Sequence, residues 1–271
     1  GKYELSASKY REIMYYDNVT LANDWNAFWY GLSYLRYGKL EELNNNLYAF
    51  DSPWSKFWQA LSMFSISEYD STIDILREVA NDPNIQNILR LESKYFIGLS
   101  YIEKNQLGRA EDIFYEIIEK YPNNLLTGEI LYRLAQIEFS RKNYEKTLDK
   151  LSECEIFYKK SARKEAHWWI ENVYYLFASS NILLDRYNNA IVWSNELLEK
   201  FPETRFKEQA EYIITLAIFN TDGETDISKL DNLTEDFKWD LLSRLGYKSF
   251  ISGDYSKAYN FFEASLAFTE E

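Results

Sequence analysis

The sequence predicts an all-α solenoid, a fold in which pairs of helices follow one another along the chain. Apolar residues recur at helical spacing over most of its length. Only 9 Gly and 4 Pro occur in 271 residues, too few for a protein built from many β-turns. Small residues separated by twelve positions recur along the chain. These observations together favour about six or seven stacked helical pairs.

The clearest helical pair lies within residues 91–124. A polar turn separates its two helices, and Pro122 ends the second one, because proline has no N–H to donate to a helical turn. We expect Gly98 and Ala110 to lie where the two helices approach closely, with the ring of Phe114 beside them. This pair is the template against which the others are recognised.

The template pair resembles the tetratricopeptide repeat (TPR), whose pattern has small residues near positions 8 and 20, an aromatic residue near 24 and a proline near 32. With Gly98 at position 8, Ala110, Phe114 and Pro122 take the other three positions. The resemblance implies a TPR-like α-solenoid wound as a right-handed superhelix. It also implies a binding scaffold whose partner the motif does not specify.

Residues 1–20 show no repeat signature, and we expect them to form an N-terminal arm before a repeat domain over residues 21–271. The predicted helices, in chain order, are Asn23–Tyr37 with Lys39–Phe50, Ser52–Ser65 with Glu68–Ala80, the template pair, Thr127–Arg141 with Tyr144–Tyr158, Ala162–Leu184 with Tyr187–Lys200, Arg205–Asn220 in a degenerate sixth pair, and a seventh pair around Gly246 and Ala258.

Local signals set several of these boundaries. Ser52 suits an N-cap and Pro53 the first helical position, so the second pair should begin there. The fifth pair ends in Glu-Lys-Phe-Pro at residues 199–202, which repeats the Glu-Lys-Tyr-Pro end of the template at residues 119–122. The spacing of twelve occurs in the pairs Gly98–Ala110, Ala135–Thr147, Ala178–Ala190 and Gly246–Ala258.

The charge of the chain argues against several classes of partner. The net charge is −13, which repels nucleic-acid phosphates and an anionic membrane surface. No apolar run is long enough to span a bilayer. A single cysteine, Cys154, excludes an intrachain disulfide and a thiolate metal cluster. The chain opens with Gly-Lys rather than methionine, so a signal peptide or lipid anchor could have been removed.

Aromatic residues mark the expected binding surface. The resemblance implies that the first helix of each pair lines the concave side of the array, where a peptide or protein partner would bind. The same spacing is also typical of core residues, so we expect much of this column to be packing. The residues predicted to bind a partner are Trp25, Phe28, Trp29, Trp54, Phe57, Trp58, Tyr95, Tyr132 and Tyr175.

A basic run, Lys159, Lys160, Arg163 and Lys164, stands out against the acidic background. These cations would complement the C-terminal dipole of the preceding helix, and an acidic-partner patch is the alternative. The one histidine, His167, follows them as an expected helix-surface residue. There is no phosphate-binding loop, serine-nucleophile elbow or His/Cys metal set, so we expect no cofactor and no metal.

The predicted function is a non-enzymatic protein–protein interaction scaffold with an aromatic-rich concave surface. The segments Ala110–Asn124 and Ala190–Pro202 are similar to periplasmic TPR lipoproteins of outer-membrane assembly and of the Tol–Pal coordinator type. This similarity implies a bacterial envelope location, periplasmic or outer-membrane-associated, with a cytoplasmic location as the alternative. A TPR subunit that holds a small apolar or aromatic molecule or a glycan, for example for a transporter, is the competing function. An enzyme would need two carboxylates converging in a closed cleft.

Overall fold

The computed structural model describes residues 20–43, 52–122, 124, 126–162, 169–222 and 233–268. Within these ranges the chain forms 12 α-helices and one short 3-10 helix, and no β-strand occurs there. The predicted N-terminal arm lies outside the described residues, apart from Thr20, with which the first helix begins. The fold class predicted from the sequence, an all-α TPR-like solenoid, is confirmed.

The helices, in chain order, are α1 Thr20–Tyr37, α2 Pro53–Ser65, α3 Tyr69–Asn81, α4 Asn87–Glu103, α5 Leu107–Lys120, α6 Thr127–Ser140, α7 Tyr144–Lys160, α8 Ile170–Leu183, α9 Tyr187–Lys200, α10 Lys207–Asp222, α11 Glu235–Ile251 and α12 Tyr255–Leu266. The 3-10 helix, Leu40–Leu43, lies between α1 and α2.

The chain divides into two compact units, Gly1–Ile130 and Leu131–Glu271. In the first unit each of α1 to α4 packs on the next helix, and α2 also packs on α4. In the second unit each of α7 to α11 packs on the next helix, and α8 also packs on α10. Contacts between neighbours and between alternate helices are those expected of stacked helical hairpins.

Most predicted boundaries lie close to the observed ones, and one is wrong. The sequence predicts that the first helix of the fifth pair starts at Ala162. Instead α7 ends at Lys160, Ser161 leaves helical geometry with a ψ of 135°, and α8 begins at Ile170. The extended backbone at Ser161 ends α7, close to its predicted end at Tyr158. The second helix predicted for the first pair, Lys39–Phe50, is a 3-10 helix at Leu40–Leu43, and residues 44–50 lie outside the described part.

The turns reveal a repeat register that sequence reasoning recovered only in part. Six hairpins turn through a residue with positive φ, which lies seven positions after the small residue of the first helix: Gly38, Ser67, Asn105, Lys142, Asp185 and Gly253. In each case the next residue donates its N–H to the carbonyl five positions earlier, at 2.8 to 3.2 Å. This is the Schellman helix end. The register makes Ala60 the small residue of the second pair and Thr72 its partner, a spacing of twelve that we did not identify from the sequence.

The predicted close approach of helices at small residues is confirmed. A Cβ atom built on Gly98 would lie 2.4 Å from Cε1 of Phe114, so the ring of α5 occupies the space that any other side chain would need. On Gly31 of α1 it would lie 2.1 Å from Cδ2 of Trp58. The ring that fills the first glycine site therefore comes from α2, the first helix of the following pair.

Candidate protein-interaction surface

Aromatic side chains of the first unit form a continuous chain of ring contacts that crosses α1, α2, α4 and α5. Its first contacts join Trp29 to Phe28 with ring centroids 5.2 Å apart, Phe28 to Trp54 at 4.8 Å, and Trp54 to Phe57 at 5.6 Å. It continues through Phe57–Phe96 at 6.0 Å, Tyr95–Phe96 at 5.6 Å and Tyr95–Phe114 at 6.0 Å. Most of these pairs meet edge to face, the arrangement that the ring quadrupole favours.

Burial divides this ring chain into a covered part and an open part. Phe57, Trp58 and Tyr95 are 3 to 4% exposed, so their rings pack inside the unit. Trp29 is 44% exposed, and Phe28 and Trp54 are partly exposed. The predicted site residues with accessible rings in this unit are therefore Phe28, Trp29 and Trp54, which we call the α1–α2 aromatic patch. The side chain of Trp25 lies outside the described residues.

In the second unit the predicted tyrosines occupy polar surroundings. Tyr132 is buried, accepts a hydrogen bond from Nε2 of Gln136 at 2.8 Å, and has the guanidinium of Arg133 at 5.5 Å from its ring centre. Tyr175 is partly buried and stacks on Phe206 with centroids 4.3 Å apart. Contact of either residue with a partner stays a prediction.

Sequence reasoning missed the residues that surround Tyr175. Arg205 donates to Oδ1 of Asn172 at 2.6 Å, and its guanidinium lies 4.7 Å from the ring centre of Phe206. Asn172 lies three residues before Tyr175, on the same face of α8, so the loop before α10 brings a cation to this face. The sequence signal was the Arg-Phe dipeptide at residues 205–206, which we assigned to a helix rather than to the loop that precedes it.

Two tyrosine hydroxyls donate hydrogen bonds to carboxylates that lie on the first helix of the next hairpin. Tyr95 in α4 donates to Glu129 in α6, and Tyr212 in α10 donates to Asp240 in α11. Burial, and then the bond to Asp240, raises the pKa of Tyr212 well above its ordinary value. These hydroxyls join successive hairpins, so Tyr95 has a structural role in addition to its place in the ring chain.

Glu92 is a carboxyl whose environment raises its pKa. Burial, followed by the nearby Glu129 carboxylate, raises the pKa of Glu92 from 4.5 to about 7. Two cavities, of about 490 and 410 Å³, lie elsewhere, with linings that do not include this carboxyl. Among the described residues no cluster of three or more His, Cys, Asp or Glu could hold a metal ion.

The remaining predicted features are only partly described. Lys159 and Lys160 are exposed in the last turn of α7, where Lys159 pairs with Glu155 at 2.9 Å. This position suits the helix dipole. Arg163, Lys164 and His167 lie outside the described residues. Cys154 is buried, and burial raises the pKa of its thiol. Of the helices that the structure describes, none has the length and apolar character required to cross a membrane.

Comparison with known proteins identifies the repeat and the fold. The tetratricopeptide repeat family model matches residues 95–124. A search of curated proteins finds no match. The chain is similar in structure to the apo form of the quorum sensor NprR from B. thuringiensis, with 11% identity, a TM-score of 0.62, and coverage of 98% of this chain and 82% of that chain.

Two further solved structures have the same fold. Aspartyl phosphate phosphatase F from Bacillus subtilis is 15% identical, with a TM-score of 0.58 over 91% of this chain and 70% of that one. A Rap protein complexed with Competence and Sporulation Factor is 13% identical, with a TM-score of 0.54 over 98% and 93% of the two chains. At these identities the likeness establishes the fold and not the activity.

Proposed function

We propose that this chain, a tetratricopeptide-repeat protein, is a non-enzymatic scaffold that binds a peptide or protein partner through the aromatic residues of its first helices. The observation that carries the proposal is the exposed indole of Trp29. It is 44% exposed and meets Phe28 edge to face. Exposed tryptophan rings offer a large apolar area to a partner and are typical interface anchors.

The chemistry of the α1–α2 aromatic patch defines the partner. Phe28, Trp29 and Trp54 offer apolar faces and a single type of polar group, the indole N–H. The chain as a whole carries a net charge of −13, which attracts basic partners and repels acidic ones. We therefore expect a segment with an aromatic or aliphatic anchor and neighbouring Lys or Arg.

The structural neighbours support a binding role without specifying it. One is a Rap protein in complex with Competence and Sporulation Factor, and another is named a quorum sensor. A third is named a phosphatase, an activity stated for that protein alone. The proposal that this chain is not an enzyme is supported by its own residues, because the cavities of about 490 and 410 Å³ do not include the Glu92 carboxyl in their linings.

Site-specific photocrosslinking tests the proposal directly. The photoreactive amino acid p-benzoylphenylalanine would replace Trp29 in one variant and Trp239 in another. Both tryptophans are 44% exposed, so the second variant is a matched control. We expect crosslinks to a specific protein from position 29 and none to that protein from position 239. Equal crosslinking at both positions would contradict a site at the patch.

We also propose a bacterial envelope location, periplasmic or outer-membrane-associated, which rests on the repeated Glu-Lys-aromatic-Pro helix ends at residues 119–122 and 199–202. Fractionation of the native source, with recovery of the protein in the soluble cytoplasmic fraction, would count against it. This location has no bearing on the binding proposal.

One observation favours the second candidate function, a small-molecule site. A cavity of about 410 Å³ lies between α8, α10 and α11, with Tyr187, Tyr212 and Phe219 in its wall and Arg244 and Lys248 beside them. Rings and apolar side chains together suit a small aromatic molecule. Ligand-detected NMR with a set of such molecules tests this function, and Leu216→Trp, which would fill the cavity, should abolish any signal.

A further inference from the structure

The last described helix presents an apolar stripe to solvent. Tyr255, Tyr259, Phe262 and Leu266 recur every three or four residues along α12. Their exposures are 66, 64, 39 and 67%. Residues at this spacing lie on one side of a helix, as in the seam along which two helices pack.

Most of the stripe lies apart from the side of α12 that belongs to the core, and Phe262 borders both, because its ring packs on Gly246 of α11. Ala258 is 2% exposed and faces inward, and Phe261, Ala264 and Phe268 pack on a cluster that includes Leu241, Leu242 and Leu245. α12 therefore has two apolar sides, of which one packs on α11. The second is open. Tyr247 and Phe250 of α11 are also exposed, at 62 and 55%. Together with the stripe they form what we call the α11–α12 face.

The same positions in internal hairpins are covered. Counted from the small residue of each first helix, the equivalents of the six residues in α8 and α9 are Ser179, Ile182, Tyr187, Ile191, Ser194 and Leu198, all buried or partly buried. The equivalents in α4 and α5 are Leu99, Ile102, Leu107, Glu111, Phe114 and Ile118, which are likewise buried or partly buried.

In the internal hairpin of α8 and α9, a neighbouring helix covers these positions. α10 packs on both α8 and α9, with Tyr212 and Ile213 against Ala178 and Ala190. The α11–α12 face thus has the shape and composition of a surface on which one more helix packs. The stripe spans 12 residues, or about 17 Å, which a partner helix of similar length would cover.

Charges near the α11–α12 face select among possible occupants. Each of the four cations on α11 and α12 is already engaged: Lys238 with the Phe268 ring, Arg244 with Asp240, Lys248 with Asn220, and Lys257 with Asp254. Glu263, next to Phe262, is exposed and accepts a hydrogen bond from Tyr259 at 3.0 Å. The partners of Lys238 and Lys248 are uncharged, so these two cations keep their charge, but they are turned toward Phe268 and toward Asn220 of α10. The charged group beside Phe262 of the stripe is the Glu263 carboxylate, and the net charge of the chain is −13.

We propose that the α11–α12 face binds an amphipathic helix of a partner protein, whose apolar stripe is flanked by Lys or Arg. Apolar contact supplies most of the affinity, and the flanking cations pair with Glu263 and with the field of the chain. A second copy of this chain is a poorer occupant, because it would bring the same Glu263 and the same net charge of −13 against the face.

The test uses two synthetic helical peptides of about 16 residues with Leu at positions i, i+4, i+7 and i+11. One carries Lys and the other Glu beside the stripe. Fluorescence anisotropy of labelled peptide measures the Kd for the intact chain and for variants. We expect the Lys peptide to bind at least about tenfold more tightly than the Glu peptide, with Glu263→Gln reducing the difference.

A matched pair of double variants locates the site. Tyr259→Ser with Leu266→Ser should weaken binding of the Lys peptide by about tenfold or more, while Ile156→Ser with Val192→Ser should leave it unchanged. The control residues are 52 and 53% exposed on α7 and α9, so circular dichroism should show both variants folded.

Three results would overturn the proposal. The first is equal binding of the two peptides, and the second is equal binding to both double variants. The third is a dimer in light scattering that the α12 variant abolishes while the intact chain does not bind the Lys peptide, which would make a second copy the occupant. None of these results bears on the α1–α2 aromatic patch.

Discussion

The two ends of the ring chain in the first unit contain the same kinds of residue in opposite situations. At one end, Phe114 is 0% exposed and fills the space beside Gly98. At the other end, Trp29 touches Phe28 through one edge and is 44% exposed. Helical spacing and aromatic type are alike at both ends, so neither distinguishes packing from binding. Burial by a neighbouring helix makes the difference.

The largest loss of stability should come from a substitution at Phe114, the buried end of the ring chain. Phe114→Ala removes a fully buried ring and leaves a cavity against Gly98, which should lower the free energy of unfolding by about 3–5 kcal/mol. Chemical denaturation followed by circular dichroism measures the change. Tyr115→Ala, at a neighbouring position that is 47% exposed, should cost less than about 1 kcal/mol. Similar losses for the two variants would mean that the covered end does not support the fold.

A carboxyl in the same covered region should make stability depend on pH. The pKa of Glu92 is about 7 in the folded protein and near 4.5 in the unfolded chain. Between pH 4.5 and 7 the folded state therefore keeps a proton on Glu92 that the unfolded state has released. Raising the pH through this window therefore destabilises the protein, by up to about 3 kcal/mol. Glu92→Gln should remove that loss and be more stable than the wild type at pH 8, with little difference at pH 4.

Glu116 is a control residue whose effect on the pH dependence of stability has the opposite sign. Hydrogen bonds from Lys120 and Lys94 lower the pKa of this carboxyl, so its contribution is present above its unfolded pKa and lost as the pH falls. Glu116→Gln should therefore destabilise the protein at neutral pH. Unfolding curves at pH 4, 6 and 8 measure both variants, and an identical pH profile for the wild type and Glu92→Gln would contradict the assignment of Glu92.

Substitutions at Gly31 and Gly98 test how tightly a ring packs on each of these two helices. Gly31→Ala would bring a Cβ atom to 2.1 Å from Trp58, and Gly98→Ala to 2.4 Å from Phe114. We expect each to cost about 1–3 kcal/mol, because overpacking outweighs the better helix propensity of alanine. At Gly31 the displaced ring is the larger one. Thermal unfolding should show a lower Tm for both variants, and an unchanged Tm would mean that the rings are free to move.

The smallest effect should come from the turns. Ser67 and Asn105 occupy the same position in two hairpins, with φ of 66° and 56°. A left-handed conformation costs serine about 1 kcal/mol relative to glycine, and asparagine less. Ser67→Gly should therefore stabilise the protein by about that amount, and Asn105→Gly by less. If Asn105→Gly gave the larger gain, the cause would lie in the unfolded chain rather than in the turn.

The sequence was sufficient for most of the fold because helical spacing, proline stops and the Gly98–Ala110 type of close approach are local or nearly local signals. It was insufficient at the start of α8, which was expected at Ala162 and lies at Ile170. It also missed the close approach of Ala60 and Thr72, which the turn at Ser67 identifies in the structure. Thr72 is buried and donates its hydroxyl to the Ala60 carbonyl at 3.2 Å.

The candidate site was less predictable for a physical reason. The aromatic spacing placed Phe28, Trp29, Trp58 and Tyr95 in one column, but exposure depends on which neighbouring helix covers each ring. That cover comes from residues distant in sequence, as when Trp58 of α2 fills the site at Gly31 of α1. The α11–α12 face escaped notice because its residues have the composition of a core helix.

The most direct measurement is a pull-down with quantitative mass spectrometry that compares the wild-type chain with Trp29→Ala and Trp239→Ala. Both tryptophans are 44% exposed, so both variants should remain folded. If Trp29 anchors the partner, the proteins enriched by the wild type should be lost by about tenfold or more with Trp29→Ala and retained with Trp239→Ala. Retention of every partner by Trp29→Ala would contradict binding at the α1–α2 aromatic patch.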